Sequence, residues 1–157
     1  MEEATTMKLY IMRHGKAAAA QQGQDQILTP DGHAAIENLA DMLGRQGIRV
    51  ERILHSGKTR ARQTAEIMAS RVSDYIIPEV HPHIKPNDNP QALIDDIRHW
   101  HSDTLVVSHL PFIPALLPLL TSATSGHSAI SFEPGTIICL SPDNDDWQIE
   151  WVESPHP

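Results

Sequence analysis

Three short apolar runs, residues 8–12, 52–55 and 104–107, are each cut off at once by a polar cluster suited to holding phosphate. The clusters are Arg13-His14-Gly15, Ser56-Gly57-Lys58-Thr59-Arg60 and Ser108-His109. Brief apolar runs bounded in this way read as buried strands. Helical patterns fill the intervals. Thr29 can cap a helix that begins at Pro30, with Asp31 in its first turn and Ile36, Leu39 and Leu43 recurring at helical spacing before Gly44 and Gly47. A second helix is expected over residues 59–70, with Ala61, Ala65 and Met68 on one face. A third should start at Asn89-Pro90 and turn Leu93, Ile94 and Ile97 inward, and a fourth, after Pro111, is apolar nearly all round and is expected to be buried.

Strands alternating with helices specify an α/β fold, a three-layer α/β/α sandwich on a mostly parallel sheet with right-handed crossovers. The rhythm breaks near the end of the sequence. Residues 136–140 and 147–152 read as a hairpin around a turn at 141–146, which adds an antiparallel C-terminal strand. Residues 80–89, with Pro82, Pro86, His81 and His83, read as a surface loop, and 121–128 as a loop of small polar residues able to line a pocket. A chain of 157 residues suits a single domain, 1–157, with 1–6 as a flexible extension.

In a parallel sheet the three polar clusters project from one carboxyl edge, where open α/β sheets bind ligands. Two arginines and two histidines then share a crevice. Neutral imidazole is a nucleophile toward phosphorus, and the guanidinium fork matches phosphoryl oxygens, so this set suits phosphoryl transfer with no metal or cofactor. The α-helix starting near Thr59 adds N–H donors and positive dipole at the same place.

Other classes fall away. A net charge of −8 is the opposite of a nucleic-acid footprint. The longest apolar stretch, 110–120, carries Pro111, Pro114 and Pro118 and is well short of the roughly 20 residues that cross a bilayer. The short acidic start lacks the marks of an export signal, and the lone Cys139 reads as a buried thiol, so a reducing cytoplasm is the expected location. The pairs His81/His83 and His99/His101 have the wrong spacing for a helical metal chelate, and Gly15-Lys16 lacks the other residues of a P-loop. Arg62 is expected to be solvated or in a structural ion pair, and Ser56 and Ser108 at strand ends are expected to satisfy backbone groups.

The run from Leu9 through Arg13-His14-Gly15, the segment Leu28-Thr29-Pro30-Asp31-Gly32, the segment from Ser56 through Arg60 to Gln63-Thr64-Ala65, and Val106-Val107-Ser108-His109 resemble the histidine phosphatase superfamily, also called phosphoglycerate mutase-like. The setting Ser108-His109-Leu110-Pro111 is similar to its small SixA-type branch of phosphohistidine phosphatases. The resemblance implies a covalent phosphohistidine intermediate on His14, with Arg13, Arg60 and His109 around the phosphoryl oxygens and Gly15 and Leu110 at the substrate. It also implies a phosphorylated protein as partner, such as a histidine-phosphotransfer domain, and inorganic phosphate as product. Lys16 stands where that branch often has an acidic residue and should alter the charge at the pocket rim; Gly57 stands where many members have proline, which should loosen that loop.

Larger members insert a segment that supplies an acid to protonate an alcohol leaving group. Here the interval from Val72 to Asp103 is only about 30 residues, close to the minimum for a crossover, and its irregular part offers only Glu79 and Asp88. A site poor in acid favours a labile phosphoramidate over a phosphate ester. Three alternatives differ in what they predict: a phosphomonoesterase on a small metabolite or phosphoserine/threonine protein would hold a hidden acid. A non-catalytic phosphate-binding module would bind without turnover, and a histidine-rich metal protein would carry stoichiometric zinc.

Overall fold

The computed structural model describes residues 7–20, 24–121 and 130–156. The expected extension at 1–6, and residues 122–128 of the expected polar loop, lie outside them. Ten elements follow one another: β1 (Leu9–Arg13), α1 (Pro30–Arg45), β2 (Arg52–His55), α2 (Thr59–Val72), β3 (Glu79–Val80), α3 (Gln91–Ile97), β4 (Thr104–Ser108), α4 (Phe112–Leu120), β5 (Ile137–Asp143) and β6 (Asp146–Glu153).

The strands form one six-stranded sheet in the order β3-β2-β4-β1-β5-β6. β3, β2, β4 and β1 run parallel, and β5 and β6 are antiparallel. Side chains alternate across the pleat, which makes three layers. Tyr10, Met12, Leu105 and Val107 pack on one face with Ile36, Leu39 and Leu43 of α1 and Ala61, Ala65 and Met68 of α2. Leu9, Ile11 and Val106 pack on the other with Leu93, Ile94 and Ile97 of α3 and Phe112, Ile113 and Leu116 of α4.

Three expectations need revision. Glu79–Val80, partly placed in the loop, is a short parallel edge strand on β2, continued by the bond from His81 N to His55 O at 2.8 Å. The hairpin is longer than its apolar residues suggest, because pairing reaches Asp143 and Asp146 and leaves the turn to Asn144, at φ 58°, and Asp145. Helix α4 is buried on one side only: Phe112, Ile113, Leu116, Leu117 and Leu120 face the sheet, whereas Leu119 is 53% exposed. Composition hid a stripe that geometry imposes.

The start of α1 is fixed by its sequence. Thr29 Oγ1 accepts Gly32 N–H at 2.9 Å, Pro30 occupies the first turn, and Thr29 N–H donates to Lys16 O at 3.0 Å. That bond lays the residues after the first polar cluster directly on the helix. A Cβ at position 32 would come within 2.2 Å of Lys16 O, so only glycine fits. Gly32→Ala should therefore lower unfolding stability by roughly 2 kcal/mol or more. A shift of the urea midpoint at unchanged slope is the expected result; an unmoved midpoint would mean that α1 and the Lys16 backbone can separate freely.

Candidate active site

The backbone at the end of β1 is clamped from both sides. His14 N–H donates to Ser108 O at 3.1 Å on the β4 side, while Arg13 N–H donates to Thr136 O and Gly135 N–H to His14 O, both at 2.9 Å. The His14 ring is then set by its neighbour: Nδ1 lies 2.7 Å from Gly15 O. A carbonyl only accepts, so Nδ1 carries the hydrogen and Nε2 keeps its lone pair. Gly15 itself was expected at the substrate. Its N–H instead donates to Thr64 Oγ1 at 3.0 Å, and it acts on the site through its carbonyl.

Arg60, in the first turn of α2, donates from Nε to His14 Nε2 at 3.3 Å. His14 is buried, and its pKa falls to about 4, first because burial penalises the charged ring and then because Arg60 and Arg13 repel the proton; the Gly15 carbonyl opposes this. His109, beyond the end of β4, lies with its ring centroid 5.0 Å from that of His14. Burial first, then His14, Arg60 and Lys58, lower its pKa to about 3. Both rings are neutral at pH 7.

Ser56 does more than satisfy a backbone group. Its Oγ accepts Lys58 N–H at 3.2 Å and lies 2.6 Å from His109 Nε2. A hydroxyl both donates and accepts, so this bond engages Nε2 in either tautomer of neutral His109 and leaves Nδ1 as the other ring nitrogen. Among the described residues, two buried side-chain polar atoms have no partner: His109 Nδ1 and Arg13 Nε. The rest of Arg13 is held, with Nη1 donating to Phe132 O at 2.6 Å. An unpaired buried polar group costs about 1–3 kcal/mol, and Arg13 Nε, which can only donate, suits an acceptor-rich ligand at this place.

A cavity of about 310 Å³ joins Arg13, His14, Arg60 and His109, with Lys16, Ala17, Gln26, Leu110 and Pro134 around them. Glu79 and Asp88 do not line it. Glu79 is exposed on the edge strand, and the Asp88 carboxylate accepts Lys85 N–H at 2.9 Å in its own turn. The carboxylate closest in function was missed: Asp25 Oδ1 lies 3.6 Å from Arg60 Nη1. No spacing rule links positions 25 and 60, and only the fold brings them together. Gln26 and Pro134 were missed for the same reason.

The loop at Gly57 is tied rather than loosened. Gly57 has φ +91°, which a proline cannot adopt, and its N–H donates to His55 Nδ1 at 3.0 Å, a bond proline lacks. Elsewhere, Ser108 Oγ donates to Ile84 O at 2.7 Å and Arg62 pairs with Glu66 at 2.8 Å, as expected. His81 Nε2 is 2.7 Å from Asp96, while His99 and His101 are exposed.

The sequence model of the histidine phosphatase superfamily (branch 1) matches residues 9–85, a span that includes Arg13, His14 and Arg60 and stops before His109. An uncharacterised protein of Picosynechococcus sp. is 31% identical over 130 residues, 77% of each chain. The phosphohistidine phosphatase SixA of Escherichia coli is 29% identical over 158 residues, covering 95% of this chain and 94% of its own. A structure of the protein histidine phosphatase SixA complexed with tungstate superposes with a TM-score of 0.84 at 28% identity, over 95% of this chain and 97% of the other.

The two lowered imidazole pKa values have an acid consequence. Between pH 6.5 and about 4 the unfolded chain binds protons that His14 and His109 refuse when folded, so stability falls as pH falls through that window. Nitrogen NMR should show His14 neutral with hydrogen on Nδ1 at pH 5, and thermal midpoints should drop from pH 6.5 to 4.5. A His14 ring that titrates near 6.5 would overturn this account of its environment.

Proposed function

The chain belongs to the histidine phosphatase superfamily and is similar to its SixA-type members, and on that premise we propose that it is a protein phosphohistidine phosphatase. The observation that carries the proposal is the pair of unpartnered buried atoms, the donor Arg13 Nε and the ring nitrogen His109 Nδ1, beside a neutral imidazole whose Nε2 keeps its lone pair and meets only Arg60 Nε, at 3.3 Å. In this reading the whole chain works as one domain and the phosphoryl oxygens meet these two atoms together with the Arg60 guanidinium.

His14 Nε2 attacks phosphorus, and the bond from phosphorus to the substrate's ring nitrogen breaks with its electron pair moving onto that ring. A phosphohistidine protonated on its other ring nitrogen leaves as neutral imidazole, so the enzyme need not deliver a proton. That fits a cavity lined, among the described residues, by no carboxylate. Phospho-His14, with hydrogen still on Nδ1, is a ring of the same kind. Water attacks its phosphorus, the electron pair returns to Nε2, the water proton stays with phosphate, and inorganic phosphate departs. Arg13 and Arg60 stabilise the charge on the transferring group throughout. Gly15 O keeps His14 in its tautomer, and Ser56 holds the His109 ring by its Nε2.

A substrate still attached to a folded protein, such as a histidine-phosphotransfer domain, can reach the site because Leu110 at the cavity wall is 37% exposed. The scheme needs no metal. Among the described residues no helix is long and apolar enough to cross a membrane, and the buried thiol of Cys139 suits a cytoplasmic protein.

Phosphate release from a phosphorylated histidine-phosphotransfer domain tests the reading. Release should be insensitive to chelator and fall by roughly 10³-fold or more in His14→Ala. Hydrolysis of p-nitrophenyl phosphate without release from the phosphoprotein would move the substrate to esters, and phosphate binding without turnover of either would leave a binding module.

A further inference from the structure

Asp25 lies outside the four residues above, yet its carboxylate touches the phosphate-handling helix twice. Oδ2 accepts the N–H of Thr59, the first residue of α2, at 2.9 Å, and Oδ1 is 3.6 Å from Nη1 of Arg60, the next residue along. The Arg60 side chain is only 13% exposed, so this pair is shielded on the arginine side. Arg60 Nε is already engaged with His14 Nε2. Attack by His14 Nε2 on phosphorus gives up the contact with Arg60 Nε, and the pairing of Nη1 with Asp25 is then what holds the guanidinium in place.

We propose that Asp25 is a positioning residue for Arg60, fixing its guanidinium for phosphoryl transfer and, as an anion at the rim of the site, weakening the hold of the site on phosphate so that product leaves. This rests on the phosphatase reading above. The tie to Thr59 N–H matters because it anchors the carboxylate to the same helical turn that carries the guanidinium, and the two therefore move together. Asp25 does not serve as a proton donor. The Thr59 bonds, followed by weaker help from Gln26 and Arg60, hold its carboxyl below the usual range and keep it ionised. Its charge also opposes the cations of the site: Lys16 lines the cavity and Lys58 bears on His109, and neither has an ionic partner among the described residues.

Replacing the carboxylate separates the two effects. In Asp25→Asn the guanidinium loses its anchor while the site loses an anion. The expected result is a kcat for phosphohistidine release about 10-fold lower, with inorganic phosphate binding several-fold tighter by calorimetry. Asp25→Glu, which keeps the charge on a longer stem, should recover part of the kcat and return phosphate affinity toward the wild-type value. A purely structural cap would lower thermal stability without moving kcat and phosphate affinity in opposite directions. Unchanged phosphate affinity, or weaker binding in Asp25→Asn, overturns the proposal. If the wild type releases no phosphate from phosphoprotein, the functional reading fails instead, and the phosphate titration of wild type and variants alone decides for or against Asp25.

Discussion

The parallel pairing of β1 with β4 is the constraint on which the rest hangs. Its register sets Arg13 against Ser108, and the bond from His14 N–H to Ser108 O extends the ladder one residue past the strand. Because β2 pairs with the other side of β4, with His55 against Val107, the residues that follow all three strands emerge at one edge. A one-residue slip would turn each apolar set to the wrong layer, so the two cores that hold the sheet also hold the histidines in place. The geometry of the candidate site thus follows from the packing of the sheet between its two apolar cores.

That dependence explains what could be read in advance. The strand ends, the Thr29 cap and the polar clusters are local features, and local features carry over to structure with small changes of boundary. That Arg13, His14, Arg60 and His109 meet could be read in advance because Arg13 ends β1, His14 and His109 directly follow β1 and β4, and Arg60 stands in the first turn of α2. Asp25, Gln26, Phe132 and Pro134 sit in connections whose path is decided by tertiary contacts, and nothing periodic marks them. The two-residue β3 escaped notice because pairing with β2, rather than its own composition, makes it a strand. The one-sided burial of α4 shows the converse: composition alone suggested burial all round, and the sheet could cover only one stripe.

The site also shows how a chain of net charge −8 can be built to receive an anion. Its cations are few and fixed. Arg13 is held by the Phe132 carbonyl, and Arg60 is held between His14 and Asp25. Burial then sets the protonation state: it keeps both imidazoles neutral, and the arginines reinforce that for His14. Preorganised donors of this kind need little rearrangement when charge develops on the transferring group. Gly57 adds to the rigidity, since its positive φ lets the turn close with its N–H on His55.

The clamp on Arg13 and His14 reaches across most of the chain, with Phe132, Gly135 and Thr136 closing on residues more than a hundred positions earlier. A chain emerging from a ribosome exposes Arg13 and His14 more than a hundred residues before the groups that seat them. Until residues 132–136 are out and β5 has docked beside β1, Arg13 lacks its carbonyl partner and His14 lacks one side of its backbone support. A nascent chain therefore holds His14 without the groups that seat it, and the site proposed above is complete only once the sheet is closed.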